Sequence, residues 1–291
     1  LSKKLEVYKV EYDSIYVTNF PDNLYPWYAF LNDKKPNDFN TKSFTFNSNE
    51  RKYENIIFTD KRCPSDYAFK ETVVFANGKD SNKAIVCIAI DETKITVEGI
   101  TTCGWKAVGT EKIVTKSEGN HVYTVDNVPV LDLTAKYGGL EDVTPENKNL
   151  LLEIASSLPL QLQREKGDPV MRPGLMVDWS DHSFYTSGTV PQGSKIRFSL
   201  PPDFDVMEKV IRGVENLKAT KMPEADAVVV FSCAGRILSF GPLMNQELEG
   251  IKNVWNVPMA GMFSNAELGR ATGGNLEMHN LTTCCIALKE K

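Results

Sequence analysis

The chain has 291 residues, 42% hydrophobic and 24% charged, the composition of a folded globular protein with room for one large or two modest domains. Its formal net charge of −5 argues against a nucleic-acid partner, because gripping phosphate needs a basic surface. No apolar run approaches the ~18 residues of a membrane helix, so membrane insertion is not expected.

In chain order, residues 1–55 carry strand-like stretches around Leu5, Val7 and Val10 and around Ile15 and Val17, separated by loops rich in proline, Asn and Asp. The aromatic residues 25–30 read as a packed element or a partner-binding surface. Ile56, Ile57 and Phe58 form a short strand. Residues 69–75 and 84–90 read as a hairpin-like pair with Asn77–Gly78 near its turn. Another strand begins at Ile95. Trp105 anchors a strand end, and Gly119 and Asn120 make a tight turn. Thr144 and Pro145 open a helix as N-cap and first residue, with Leu150, Leu151, Ile154 and Leu158 on its apolar face. Residues 160–200 read as antiparallel strands, with Asp178, Asp181 and His182 in a hairpin turn between two of them. A helix follows with Met207, Val210, Ile211, Val214 and Leu217 on one side.

The closing quarter holds most of the information. The β-branched run at 227–231 is a buried strand. Ser232 to Gly241 reads as a turn leading to a helix striped by Met244, Leu248, Ile251 and Trp255. A second strand at 258–263 runs into a loop at 264–269, and a last strand at 282–288 follows His279–Asn280–Leu281. Residues 84–90 echo 282–288 in pattern, which points to two halves on a shared plan.

The order strand, Cys-Ala-Gly-Arg, helix, strand, Ala-Glu-x-Gly, His-Asn-x-Thr strand resembles the C-terminal FIST domain. Gly104–Trp105 with Gly109, then Thr115 with Gly119–Asn120, resembles the end of the N-terminal FIST domain. That family consists of sensory and signal-transduction modules. The resemblance implies a mixed α/β (α+β) fold in two related halves, mixed or antiparallel sheets covered by amphipathic helices. The expected division is a poorly assigned segment 1–55, a reduced FIST N-terminal domain 56–140, a helical connector 141–165 and a FIST C-terminal domain 166–291. Family members commonly carry Gly where this chain has Ile237 and Ala266, changes that make the mouth of any pocket tighter and more apolar.

Chemistry is expected at the 232–241 turn, because ligands collect outside the carboxyl ends of strands. Gly235 allows close backbone approach, Arg236 can grip a carboxylate, and Glu267 can hold an ammonium from the neighbouring loop. The competing reading is an Arg236–Glu267 salt bridge between loops. Cys233 near Arg236 and a helix N-terminus could be a reactive thiolate, with His279 as its base. Asn280 hydrogen-bonds at the strand entrance. The resulting expectation is a small-ligand-binding sensory module for an anionic or zwitterionic molecule such as an amino acid, using Cys233, Gly235, Arg236, Glu267, His279 and Asn280. It holds only if Arg236 opens toward residues 233 and 267. Alternatives are a protein-interaction scaffold with a vestigial pocket, and a thiol-dependent enzyme using Cys233. No catalytic residue, cofactor or metal is expected. His121, His182 and His279 are far apart in sequence, without Cys or carboxylates at ligand spacing. A signalling protein partner is possible. The six cysteines lack zinc-knuckle spacing and read as reduced thiols of a cytoplasmic protein, with a removed leader peptide left open by Leu1.

Overall fold

The computed structural model describes residues 90–291 other than Lys148. Before them it gives the backbone of β1 (Leu5–Glu11), β2 (Ile56–Thr59), β3 (Val74–Ala76), β4 (Lys79–Ser81) and β5 (Ala84–Ile90). The aromatic stretch 25–30 and Cys63 lie outside the described residues. β1, β5 and β2 make a three-stranded antiparallel sheet. The expected pairing of 69–75 with 84–90 is replaced: β3 pairs β4 in register from Val74↔Ser81 to Ala76↔Lys79, a tighter hairpin, and β5 takes β1 and β2 as neighbours.

The largest sheet is assembled from β7 (Ala107–Glu118), β8 (His121–Val125), β9 (Val128–Pro129), β10 (Leu160–Leu162), β11 (Val170–Arg172), β12 (Gly174–Asp178), β13 (Ser183–Thr186) and β14 (Lys195–Ser199). Its order is β11-β10-β14-β7-β8-β13-β12, with β9 beside β8, and it curls into a nearly closed barrel. Asp126 and Asn127, both at positive φ, close the two-residue link from β8 to β9, a conformation these two side chains tolerate. One core packs Val114, Val122, Leu160, Phe184 and Ile196 against Leu131 of α1 (Val130–Gly138) and Ile154 of α2 (Leu150–Ser156).

The expected start of α2 at Thr144 is not what forms. Thr144 Oγ1 bonds Asp142 Oδ1 at 2.9 Å and Asn147 Nδ2 bonds the Asp142 carbonyl at 2.8 Å. These side chains give the backbone a turn instead of a helix, and the helix begins at Leu150. Leu151, expected on the apolar face, is exposed.

The second sheet has the order β16-β15-β19-β6, formed by β6 (Ile95–Thr102), β15 (Ala227–Cys233), β16 (Met259–Ser264) and β19 (Thr283–Glu290). β15 runs parallel to β16 and antiparallel to β19. A parallel pair needs a crossover, here supplied by α4 (Ala234–Phe240), a 3₁₀ turn at Gly241–Leu243 and α5 (Met244–Trp255). Val210 and Val214 of α3 (Phe204–Thr220) and Ile251 of α5 pack on Val228, Val230 and Cys285 of the sheet. The remaining two strands, β17 (Glu267–Arg270) and β18 (Leu276–His279), form a short hairpin. The two expected halves interlock: β6 pairs β19 along its whole length, and β7 and β8 neighbour β14 and β13. The echo strands β5 and β19 sit in different sheets.

Candidate functional site

The segment 232–241 is not an open turn. Cys233 ends β15, and Ala234 starts a helix that brings Arg236 inward. Arg236 is fully buried. Its Nε donates to Glu247 Oε1 at 3.2 Å, its Nη2 to Glu247 Oε2, and its Nη1 to the carbonyls of Cys103 and Leu281 at 2.9 and 3.0 Å. Trp105 and Phe240 lie against the guanidinium, with ring centroids 5.2 and 5.3 Å away. Glu247 is also fully buried and accepts from Thr283 Oγ1 at 2.7 Å. The expectation that Arg236 faces Glu267, whether around a ligand or as a salt bridge, is therefore overturned. The guanidinium has an internal carboxylate, and no face of it remains open.

Glu267 opens β17 and is buried. The hydroxyls of Ser264 and Thr282 lie 2.8 and 2.9 Å from its two oxygens. Burial pushes its pKa up to about 8, so the carboxyl is largely neutral at neutral pH and cannot serve as the fixed anion for an ammonium. Cys233 is 5% exposed, and burial together with the neighbouring Glu267 raises its thiol well above the usual range. The low-pKa thiolate expected from a helix N-terminus does not arise, because desolvation outweighs the nearby Arg236. His279 is register partner to Glu267, yet its Nε2 meets the Gly269 carbonyl at 3.1 Å. Burial lowers its pKa to about 4. Among the described residues no hydrogen bond joins His279 to Cys233, so the nucleophile–base pair is not assembled. Gly235 is needed for packing: a Cβ there would meet Leu281 Cδ2 at 2.5 Å.

Asn280 occupies a different junction. Its Oδ1 accepts from Ser187 Oγ at 2.7 Å and is 3.5 Å from Arg172 Nη1, while its Nδ2 donates to the Asn265 carbonyl at 3.3 Å. Arg172, at the end of β11, is 2% exposed. It donates to the carbonyls of Thr189, Met171 and Met278 at 3.2, 3.0 and 3.2 Å. Sequence reasoning missed it; the available signal was a charge closing the Val170–Met171–Arg172 strand, all three residues of which are buried. The adjoining turn places Leu281 at φ 55, the left-handed region that a bulky side chain rarely adopts. Asn280 and Leu281 thus join the Arg172 cluster to the Arg236 cluster.

Elsewhere, ligand-capable atoms of His121, Asp178 and Asp181 come within 4.8 Å of one another. This differs from the spacing read in sequence, since the β12–β13 turn folds both aspartates toward β8. His121 Nε2 is 2.6 Å from Ser183 Oγ, and its ring lies between those of Tyr123 and Tyr185.

Family comparison agrees with the architecture. A model of the FIST N domain matches residues 63–128, and a model of the FIST C domain matches residues 135–270. The chain belongs to the FIST family. FIST domains are sensory modules of signal transduction. The match to the C domain runs from within α1 through β17, and so contains Arg172, Cys233, Arg236, Glu247, Asn265 and Glu267. No curated protein matches the chain. No helix among the described residues is long and apolar enough to cross a membrane.

Proposed function

We propose that this FIST protein is a sensory module that binds a small anionic or zwitterionic molecule without transforming it. The supporting observation is the state of its polar residues. In the cluster around Cys233 the groups able to do acid–base or thiol chemistry are held neutral: the thiol protonated, Glu267 largely protonated and His279 uncharged. A thiol nucleophile needs the opposite tuning, a pKa lowered toward neutrality, and Cys233 has the reverse. Recognition needs only donors and acceptors already in place, and the Asn280 junction between the two large sheets supplies them.

Signalling then follows from position. Asn280 precedes Leu281, whose carbonyl is held by Arg236, and Arg236 is tied to α5 through Glu247. A ligand with different affinity for two arrangements of this turn shifts the population of both, and α5 carries the change to the surface. A thermal-shift screen of amino acids and small carboxylates tests the reading. A binder at a hundredfold excess over its Kd raises stability by about 2.7 kcal/mol. A screen with no stabilising compound, repeated by calorimetric titration, contradicts it.

A further inference from the structure

Arg172 is a buried cation that makes no hydrogen bond to a carboxylate; Glu277 favours its charge only through space. The neighbouring Glu277 is committed to Arg164, which donates to both its oxygens from Nε and Nη2 at 2.5–3.1 Å. Arg172 makes its hydrogen bonds to three carbonyls and one amide oxygen, all neutral. Burying a guanidinium is costly unless a counter-charge accompanies it. Burial holds its pKa at about 10, so the group remains charged at neutral pH.

A second, independent observation falls at the same place. Among the described residues two buried side-chain polar atoms have no hydrogen-bond partner, Thr189 Oγ1 and Asn265 Nδ2. Both residues belong to the network around Arg172: the Thr189 carbonyl accepts from Arg172 Nε, and the Asn265 carbonyl accepts from Asn280 Nδ2. Orphaned buried polar atoms are rare in folded proteins, and a bound water, ion or small ligand is one way each is satisfied. The loops that carry these two atoms, 187–189 of the barrel and 265–266 after β16, are tied together through Arg172 and Asn280. Gly188 packs directly on the arginine, since a Cβ would meet Arg172 Nε at 3.0 Å and Met278 Cε at 2.5 Å.

We infer that Arg172, Asn265 and Thr189, organised around Asn280, form the carboxylate-binding subsite of this sensor. The carboxylate supplies Arg172 with a directly hydrogen-bonded anion, which Glu277 does not, and accepts from Asn265 Nδ2 and Thr189 Oγ1. This inference rests on the small-ligand reading above and replaces Arg236 as the anion-gripping arginine.

The test uses the full chain and a probe panel of glycine, L-glutamate and succinate, with glycinamide and succinamide as controls lacking carboxylates. Thermal shifts and calorimetric titration are read on wild type and two variants. Asn265→Ala removes a donor that has no partner, so ligand-free stability is expected to hold while affinity for the responding carboxylate falls about tenfold or more. Asn280→Asp places a carboxylate beside Arg172 at the loss of the donor to the Asn265 carbonyl, so the carboxylate response is lost whichever way the ligand-free melting temperature moves. Equal responses of wild type and both variants overturn the subsite and leave the sensor reading standing. Stabilisation by the amides as well as the acids overturns the carboxylate chemistry alone. No response from any probe overturns the subsite, and Asn265→Ala melting below wild type then marks that residue as packing, while the sensor reading stands or falls on the broader screen.

Discussion

Arg236 and Glu247 face each other eleven positions apart, joined by two hydrogen bonds and both removed from solvent. The pair fastens α4 to α5, and through the Cys103 and Leu281 carbonyls it fastens both helices to the strand ends around them. Removing one partner leaves an uncompensated buried charge. Glu247→Leu is therefore expected to lower unfolding stability by about 3–5 kcal/mol. The double variant Arg236→Met with Glu247→Leu recovers most of that loss. Urea denaturation of the two single variants and the double gives the coupling, and an additive result would contradict the pairing.

Much of the fold was legible because hydrophobic period and turn chemistry agreed. The run at 227–231 became β15, and the stripe Met244, Ile251 predicted α5. What failed was a polar residue on an apolar face. Glu247 lies three positions from Met244 and four from Ile251, on the buried side of the helix, and this was the readable sign that something cationic had to meet it. The stretch at 234–240 looked like a loop because Gly235 lies within it and Gly241–Pro242 closes it. Tertiary packing of Phe240 and Arg236 made it a helix. Arg172 and Asn280 meet across more than a hundred residues of chain, a contact no local pattern encodes.

Stability should depend on pH through two buried groups with opposite signs. Glu267 has a folded pKa of about 8 against an ordinary 4.5, so the folded state holds the extra proton. Its contribution is complete below pH 4.5 and is lost as pH rises through 8. His279 has a folded pKa of about 4 against 6.5, so its contribution is lost as pH falls through that interval. Between pH 6.5 and 8 the Glu267 effect stands alone of the two. Melting temperature is expected to fall across this window in wild type and to fall less in Glu267→Gln. Parallel profiles for the two proteins would refute the assignment.

Cys233 should react slowly. Its thiol is 5% exposed and its pKa lies well above the ordinary thiol value. Iodoacetamide at neutral pH, followed by peptide mass spectrometry, is expected to label Cys233 only as fast as the protein opens. Labelling should accelerate sharply in urea. Fast modification of Cys233 in the native protein would restore the reactive-thiol reading.

Gly269 sits where β17 crosses close to β6. A Cβ there would lie 1.8 Å from Thr101 Oγ1 and 3.1 Å from Cys284 Sγ, atoms already bonded to each other at 3.1 Å. Gly269→Ala forces β17 outward and is expected to cost about 1–3 kcal/mol. Because Asn265 precedes this strand by two residues, the same change should weaken carboxylate binding, measured by calorimetry beside the denaturation curve. Unchanged stability would show that β17 does not pack as described.

The account stands most directly on which arginine meets the ligand. An isotope-labelled chain titrated with the best stabilising carboxylate reports this through side-chain resonances. The Arg172 Nε and Asn265 amide signals are expected to move and saturate together, with the Arg236 Nε signal following only as a smaller, indirect shift. A titration in which Arg236 moves while Arg172 and Asn265 stay fixed would contradict the account.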